Sequence, residues 1–368
     1  MTASQHDRSD SRPATGAEAL LRSLGRNGVR YVFSNSGTDF PPIIEAIATL
    51  PDTERPEPVL VPHETAGVGM AHGYYLVTGE AQAAMVHVNV GLANCAMGMI
   101  NAASDDIPLL LMSGRTPITE RGRPGGRMTP IQYGQEMYDQ SSLVADVVKF
   151  HYEMRYPEQG DSLPTRALTI ANSAPTGPVY LSLPREPLME AVPEGLEGPT
   201  PQQPATPARP DPAAIATLAD WIGQARAPLI IAQRGDPQGR TGRALAALAE
   251  KHGIGVIEPF PLRNVLPGDH PMLQGHDPAA IAEADLVVAL DSDVPWIEAA
   301  HRPAAGTRLA HIGPDPLFRR MPVRGYRADL AIASDPAAAL EALAAALPAP
   351  DDAAARRGQA LARKSAER

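Results

Sequence analysis

The sequence predicts an α/β protein built from two doubly wound parallel-sheet domains. Short strands that are apolar throughout, such as Ala83-Ala84-Met85-Val86 and Leu109-Leu110-Leu111-Met112, alternate with segments of helical period. That is the pattern of a parallel sheet covered on both faces. The alternation stops at a proline-dense stretch, 187–210, and begins again behind it. A chain of 368 residues is long enough for two such cores.

The elements follow in order. Residues 1–15 are polar and read as a disordered leader. Apolar residues recur at helical spacing over 17–25, and Gly28 marks the stop. A strand over 29–33 runs into Asn35-Ser36-Gly37-Thr38-Asp39, and a helix starts near Pro41 or Pro42, where proline suits a first turn. Strands over 59–61, 83–88 and 109–112 alternate with helices over 63–78 and 92–104, and the strand 177–184 closes a domain spanning 16–186. After the linker 187–210, a second domain over 211–348 has helices at 211–225, 242–252 and 336–347. Its strands fall at 229–232, 255–257, 286–290 and 308–312. Residues 349–368 form a charged, Ala-rich tail that reads as helix or frayed end.

Composition narrows the function. Charged residues make up 20% and hydrophobic ones 43%, the balance of a globular chain. A net charge of −10 disfavours nucleic acid and anionic membrane, since no basic stripe is available to meet phosphates. No apolar run reaches bilayer length and the N-terminus lacks a signal core. A single cysteine, Cys95, makes neither a disulfide nor a zinc site, so the expected location is the cytoplasm.

Ligands on open parallel sheets gather at the carboxyl ends of the strands. Three strand-to-helix turns lie there: Asn35 to Asp39, Pro62-His63-Glu64-Thr65-Ala66, and His87 to Asn94. Each residue also has a purely structural explanation. Glu64 suits the positive end of a helix, and His63 can cap the same turn. Gly37 and Gly91 can supply positive φ. His87 can be a hydrogen-bonded core histidine, while Asp39 and Asn94 can be caps or turn formers.

The joint order points further. His63-Glu64 followed by Ala66-Gly67 and Ala71-His72-Gly73-Tyr74, then Gly91-Leu92-Ala93-Asn94 with Gly98 and Asn101-Ala102, resembles the pyrimidine domain of thiamine diphosphate enzymes. The likeness is to the acetolactate synthase, benzoylformate decarboxylase and 2-hydroxyacyl-CoA lyase superfamily. Tyr133-Gly134-Gln135-Glu136, Pro108 to Gly114 and Gly177 to Pro184 fit the same family pattern, and Gly67 departs from it where alanine is usual. Residues 211–348 resemble the Rossmann-like middle domain, so the likeness covers about 17–345.

The resemblance implies roles. Glu64 is the glutamate that hydrogen-bonds the cofactor's aminopyrimidine and favours the tautomer able to deprotonate the thiazolium carbon. His87 falls where benzoylformate decarboxylase-like enzymes hold a catalytic histidine, with a side chain that titrates near neutrality. Gly37, Asn94 and Gln135 are cofactor contacts, and Thr38, Asp39 and Gln135 face the substrate. The substrate is a small 2-oxo acid, 2-hydroxyacyl compound or aldehyde, whose C–C bond next to a carbonyl is made or broken.

The family's third domain holds the diphosphate through Mg²⁺ with a Gly-Asp-Gly and a later Asn-Asn pair. Here Gly160-Asp161 precedes Ser162, Gly235-Asp236 precedes Pro237, and Gly268-Asp269 precedes His270. The expectation is therefore no diphosphate-binding domain and no metal ligand in this chain, thiamine diphosphate and Mg²⁺ being held by a second subunit in an α2β2 heterotetramer. Gln233-Arg234-Gly235-Asp236 lacks a glycine run and gives no support for FAD. The competing reading is a non-catalytic regulatory or scaffolding remnant of such an enzyme.

Overall fold

A computed structural model of the chain describes residues 14–196 and 202–368. Most of the leader thus lies outside the described residues, as does part of the proline-rich linker. The chain forms two compact units, one ending at Ala205 and one starting at Thr206.

The first unit runs α1 (Gly16–Arg26), β1 (Tyr31–Asn35), α2 (Pro41–Thr49), β2 (Glu57–Leu60), α3 (Glu64–Thr78), β3 (Ala83–Val86), α4 (Val88–Ser104), β4 (Leu110–Arg115), α5 (Ile131–Gly134), β5 (His151–Glu153), α6 (Gln159–Asn172), β6 (Val179–Pro184) and α7 (Arg185–Met189). Its six strands are all parallel, in the order β2-β1-β3-β4-β6-β5. Alternate side chains of β3 and β4 enter different cores, as the period of two demands. Ala83, Met85, Leu110 and Met112 pack with residues of α1, α2 and α6. Ala84, Val86 and Leu111 pack with residues of α3 and α4.

The first strand begins two residues later than the sequence suggests. Gly28 turns with φ 82°, and the Val29 N–H still donates to Leu24 O, so Val29 finishes the helix cap instead of starting the sheet. Thr15 and Glu18 close the other end of α1 as a reciprocal capping box.

The second unit contains α8 (Pro212–Gln224), β7 (Pro228–Ala232), α9 (Arg240–His252), β8 (Gly255–Ile257), β9 (Leu286–Leu290), β10 (Arg308–Gly313), β11 (Leu330–Ala333), α10 (Pro336–Ala346) and α11 (Asp352–Ala366). The sheet order is β11-β10-β9-β7-β8, again all parallel. Helices α8, α9 and α10 cover one face. A 3-10 turn at Pro278–Glu283, with Trp296 and Tyr326, covers the other. The charged tail is the helix α11, which lays Leu361 and Ala362 against the core of this unit.

Candidate active site

The carboxyl ends of the first sheet carry every residue singled out from the sequence. Two side-chain groups assemble there. The first lies between the starts of α3 and α4. His63 caps α3, its Nδ1 accepting from Thr65 N–H at 3.2 Å. That fixes Glu64 in the first turn, 9% exposed. Asn94 donates its amide to Glu64 Oε2 at 3.0 Å, and Thr65 Oγ1 donates to Asn94 O at 3.0 Å. The two helix starts are thereby tied around the carboxylate. Gly91 keeps the space before the other oxygen clear, since a Cβ there would stand 3.3 Å from Glu64 Oε1. Cys95 lies behind, its thiol pushed up to about 12 by burial and by Glu64, which leaves it inert as a nucleophile.

The second group centres on His87, the last residue before α4. Its Nδ1 meets Asp39 Oδ1 at 2.5 Å and its Nε2 stands 3.3 Å from the Gln135 amide. Asp39 Oδ2 accepts the Val88 N–H at 3.1 Å. Val88 has φ 31°, a left-handed backbone that a β-branched residue adopts only where its surroundings impose it. The hydrogen bond to Asp39 raises the His87 pKa above the ordinary value, and the Asp39 and Glu64 charges add to it against the opposing effect of burial. Glu64 and His87 thus share one electrostatic site.

Positive φ, the purely structural explanation for Gly37 and Gly91, is adopted by neither. Close approach is their reason. A Cβ at Gly37 would fall 2.2 Å from the His87 ring, and one at Gly114 would fall 1.6 Å from Asp39 Oδ2. The sequence places Asp39 facing the substrate; in the structure its carboxylate is 2% exposed and spends both oxygens on His87 and Val88, so it positions the imidazole. Thr38 is exposed and lines a narrow crevice with Gln132, Gln135, Arg115 and Arg185.

Glu136, next to Gln135, is held by an ion network. Arg115 pairs with Glu136 at 2.8 Å and with Glu153 at 2.7 Å, and Arg127 pairs with Glu136. Arg115, Gln132 and Arg185 were not singled out from the sequence, and Gly114 only as the end of a family pattern. Their common signal is position, at the ends of β4 and β6 or on the segment that β4 launches.

Among the described residues, no group of three or more His, Cys, Asp or Glu is placed to hold a metal ion. Of the Gly-Asp pairs, Asp161 bonds Arg26, and Asp236 accepts the N–H groups of Arg240 and Thr241 at 3.0 and 2.7 Å. The carboxyl edge of the second sheet is filled by Arg234, paired with Asp293 at 2.8 Å, and by Phe318 beneath the guanidiniums of Arg234 and Arg324. No described helix is long and apolar enough to cross a membrane.

Comparison with known proteins decides the family. Residues 14–143 match the thiamine pyrophosphate enzyme N-terminal TPP binding domain, and residues 215–343 match the thiamine pyrophosphate enzyme central domain. The chain belongs to the thiamine diphosphate enzyme superfamily. Among curated relatives, a probable 2-ketoarginine decarboxylase of Pseudomonas aeruginosa is 29% identical over 76% of this chain and 49% of its own length. An acetolactate synthase large subunit of Parasynechococcus marenigrum is 26% identical over 75% of this chain and 45% of its own. The chain therefore spans about half the length of these relatives. Among solved structures, the thiamine diphosphate-dependent 4-hydroxybenzoylformate decarboxylase of Rhodococcus jostii superposes with a TM-score of 0.73 at 25% identity, covering 92% of this chain and 63% of that one.

The first group fits the family cofactor. A desolvated glutamate has one oxygen fixed by an amide, while a glycine leaves room before the other. An aminopyrimidine offers a ring nitrogen that such an oxygen can serve.

Proposed function

We propose that this chain supplies the pyrimidine-activating half of a thiamine diphosphate-dependent enzyme that makes or breaks a C–C bond next to a carbonyl. The observation that carries this is the Glu64 carboxylate, held by Asn94 and bordered by Gly91 at the carboxyl edge of the first sheet. When bound, thiamine diphosphate supplies an electron sink beside the reacting carbonyl. Glu64 would meet the aminopyrimidine through Oε1, with Asn94 preventing rotation of the carboxylate. His87 has Nδ1 committed to Asp39, so Nε2 is its exchangeable position. The Asp39 hydrogen bond shifts its pKa upward and so favours the protonated ring, whose Nε2 proton can pass to substrate or product. Relatives named as decarboxylases and acetolactate synthases favour decarboxylation of a 2-oxo acid or carboligation as the net reaction.

We assign the diphosphate and Mg²⁺ to a second chain carrying a Gly-Asp-Gly…Asn-Asn domain, in an α2β2 assembly. The outer faces of α3 and α4 support a partner. Met70 and Val77 on α3, with Val90, Met97 and Ile100 on α4, are exposed beside Gly69 and Gly73. Helices apolar on both sides belong inside an assembly, and this face adjoins Glu64.

Producing the chain with the protein encoded beside it, and titrating thiamine diphosphate with Mg²⁺ by calorimetry, tests the reading. Binding by the pair is expected where the chain alone binds weakly, and Glu64→Gln is expected to lower 2-oxo acid turnover by roughly 10²-fold or more. Turnover unchanged in Glu64→Gln refutes the role of Glu64. A pair that forms without binding the cofactor favours the non-catalytic remnant.

A further inference from the structure

Arg185 follows β6 directly and opens α7, at the same sheet edge as His87. Its side chain is buried, with the residue 8% exposed. A buried guanidinium ordinarily has a carboxylate or carbonyl partner, because desolvating an unpaired charge is costly. Among the described residues Arg185 has none, and its Nε is sealed from solvent without an acceptor.

The neighbours explain why the charge stays uncompensated. Arg115 shares the crevice but is neutralised by Glu136 and Glu153. Asp39 is committed to His87 and Val88. Glu186, next in sequence, turns Oε1 to the Thr119 N–H and hydroxyl at 2.8 and 2.7 Å, and its Oε2 is buried without a hydrogen bond to Arg185 or to any other described residue. The crevice is narrow, and of the guanidinium nitrogens only Nε is sealed from solvent.

Gln135 adds a second donor. Its Oε1 is buried without a partner while its amide nitrogen faces His87 Nε2. A protonated His87 needs an acceptor at Nε2, and the Gln135 amide provides one when its oxygen faces the ring. That orientation turns the NH₂ group to the partnerless position. Arg185 and Gln135 then present only donors.

We propose that Arg185 binds a carboxylate of the substrate, and specifically one that is retained in the reaction. An ion pair with a carboxylate that must leave as CO₂ stabilises the ground state more than the transition state, and so opposes the reaction. A retained carboxylate carries no such penalty. Resting on the function proposed above, this makes the substrate a 2-oxo dicarboxylic acid, its distal acid group held by the planar fork of Arg185.

The test compares 2-oxoglutarate with 2-oxopentanoate, which has the same carbon chain without the distal acid, by calorimetry and ligand-observed NMR on the full chain. 2-Oxoglutarate is expected to bind at least roughly tenfold tighter, as a charge-assisted pair provides. Arg185→Gln is expected to erase that preference and Arg185→Lys to restore part of it. Without ligand, Arg185→Met is expected to raise the melting temperature, because it removes an unpaired buried charge. Equal affinities, no binding of either acid, a preference surviving Arg185→Gln, or a lowered melting temperature in Arg185→Met overturns the assignment. Glu64→Gln is expected to keep the preference, so failure of the anion site and failure of the Glu64 role are read separately.

Discussion

Gly114 and Asp39 meet so closely that a Cβ at 114 would lie 1.6 Å from the Asp39 Oδ2. The site is thus set from β4 as well as from the loop after β1. Backbone of one strand forms the floor on which the carboxylate rests, and that carboxylate orients a histidine at the end of a third strand.

Gly114→Ala is therefore expected to push Asp39 away from His87 and Val88. Overpacking of this kind costs about 1–3 kcal/mol, measurable by urea denaturation. The more specific readout is the His87 ring. Its NMR titration is expected to fall toward or below the ordinary histidine value in Gly114→Ala, because the largest contribution raising it is the Asp39 hydrogen bond.

Asp39→Asn separates charge from shape. In the native state His87 titrates above its unfolded value near 6.5, so the interaction stabilises the fold fully below that pH. The contribution is lost as pH rises through the raised native value. The stability deficit of Asp39→Asn against wild type is accordingly expected to be larger at pH 6 than at pH 9. A deficit independent of pH would mean that Asp39 acts through the Val88 N–H alone.

These particulars show what the sequence could and could not disclose. Strands β3, β4 and β6 were legible because they are buried on both faces and read as apolar runs. Helix α6 was not, because Gly160 near its start and Pro164 inside it are breaker signals that tertiary packing overrides. Gly160 is required by contact, since a Cβ there would strike Gly16 O at 2.3 Å. His63, Glu64, His87 and Asn94 stood out because turns at strand ends are local patterns. The pairing of Asp39 with His87 joins residues 48 apart, and the missing partner of Arg185 depends on where every neighbouring carboxylate points. Neither leaves a mark on local sequence.

The outer face of α3 and α4 yields a prediction about assembly. Met97 is 65% exposed in the middle of an apolar surface that adjoins the Glu64 group. If that face receives a partner, a charge at its centre must be desolvated on association without a counter-ion. Met97→Glu is expected to weaken association by about 2 kcal/mol or more, seen as dissociation in analytical ultracentrifugation, with little change in the melting temperature of the isolated chain. Unchanged sedimentation would move the interface elsewhere.

The second unit holds a histidine of the opposite sign. His311 on β10 is 2% exposed, donates Nε2–H to Arg327 O at 3.2 Å and accepts at Nδ1 from Arg324 at 3.4 Å. Both contacts suit the neutral ring, and burial with the Arg324 charge brings its pKa down to about 4. In the unfolded chain the same residue titrates near 6.5. The unfolded state therefore binds the extra proton first as pH falls, and stability is lost between about 6.5 and 4, by an amount on the order of 3 kcal/mol. His311→Gln keeps a donor and an acceptor at this position but has no proton to gain. Denaturation midpoints of wild type and His311→Gln, compared at pH 7.5 and pH 5, are expected to diverge in favour of the variant at the lower pH. Parallel loss of stability in the two proteins would assign the acid sensitivity of this unit to its carboxylates instead.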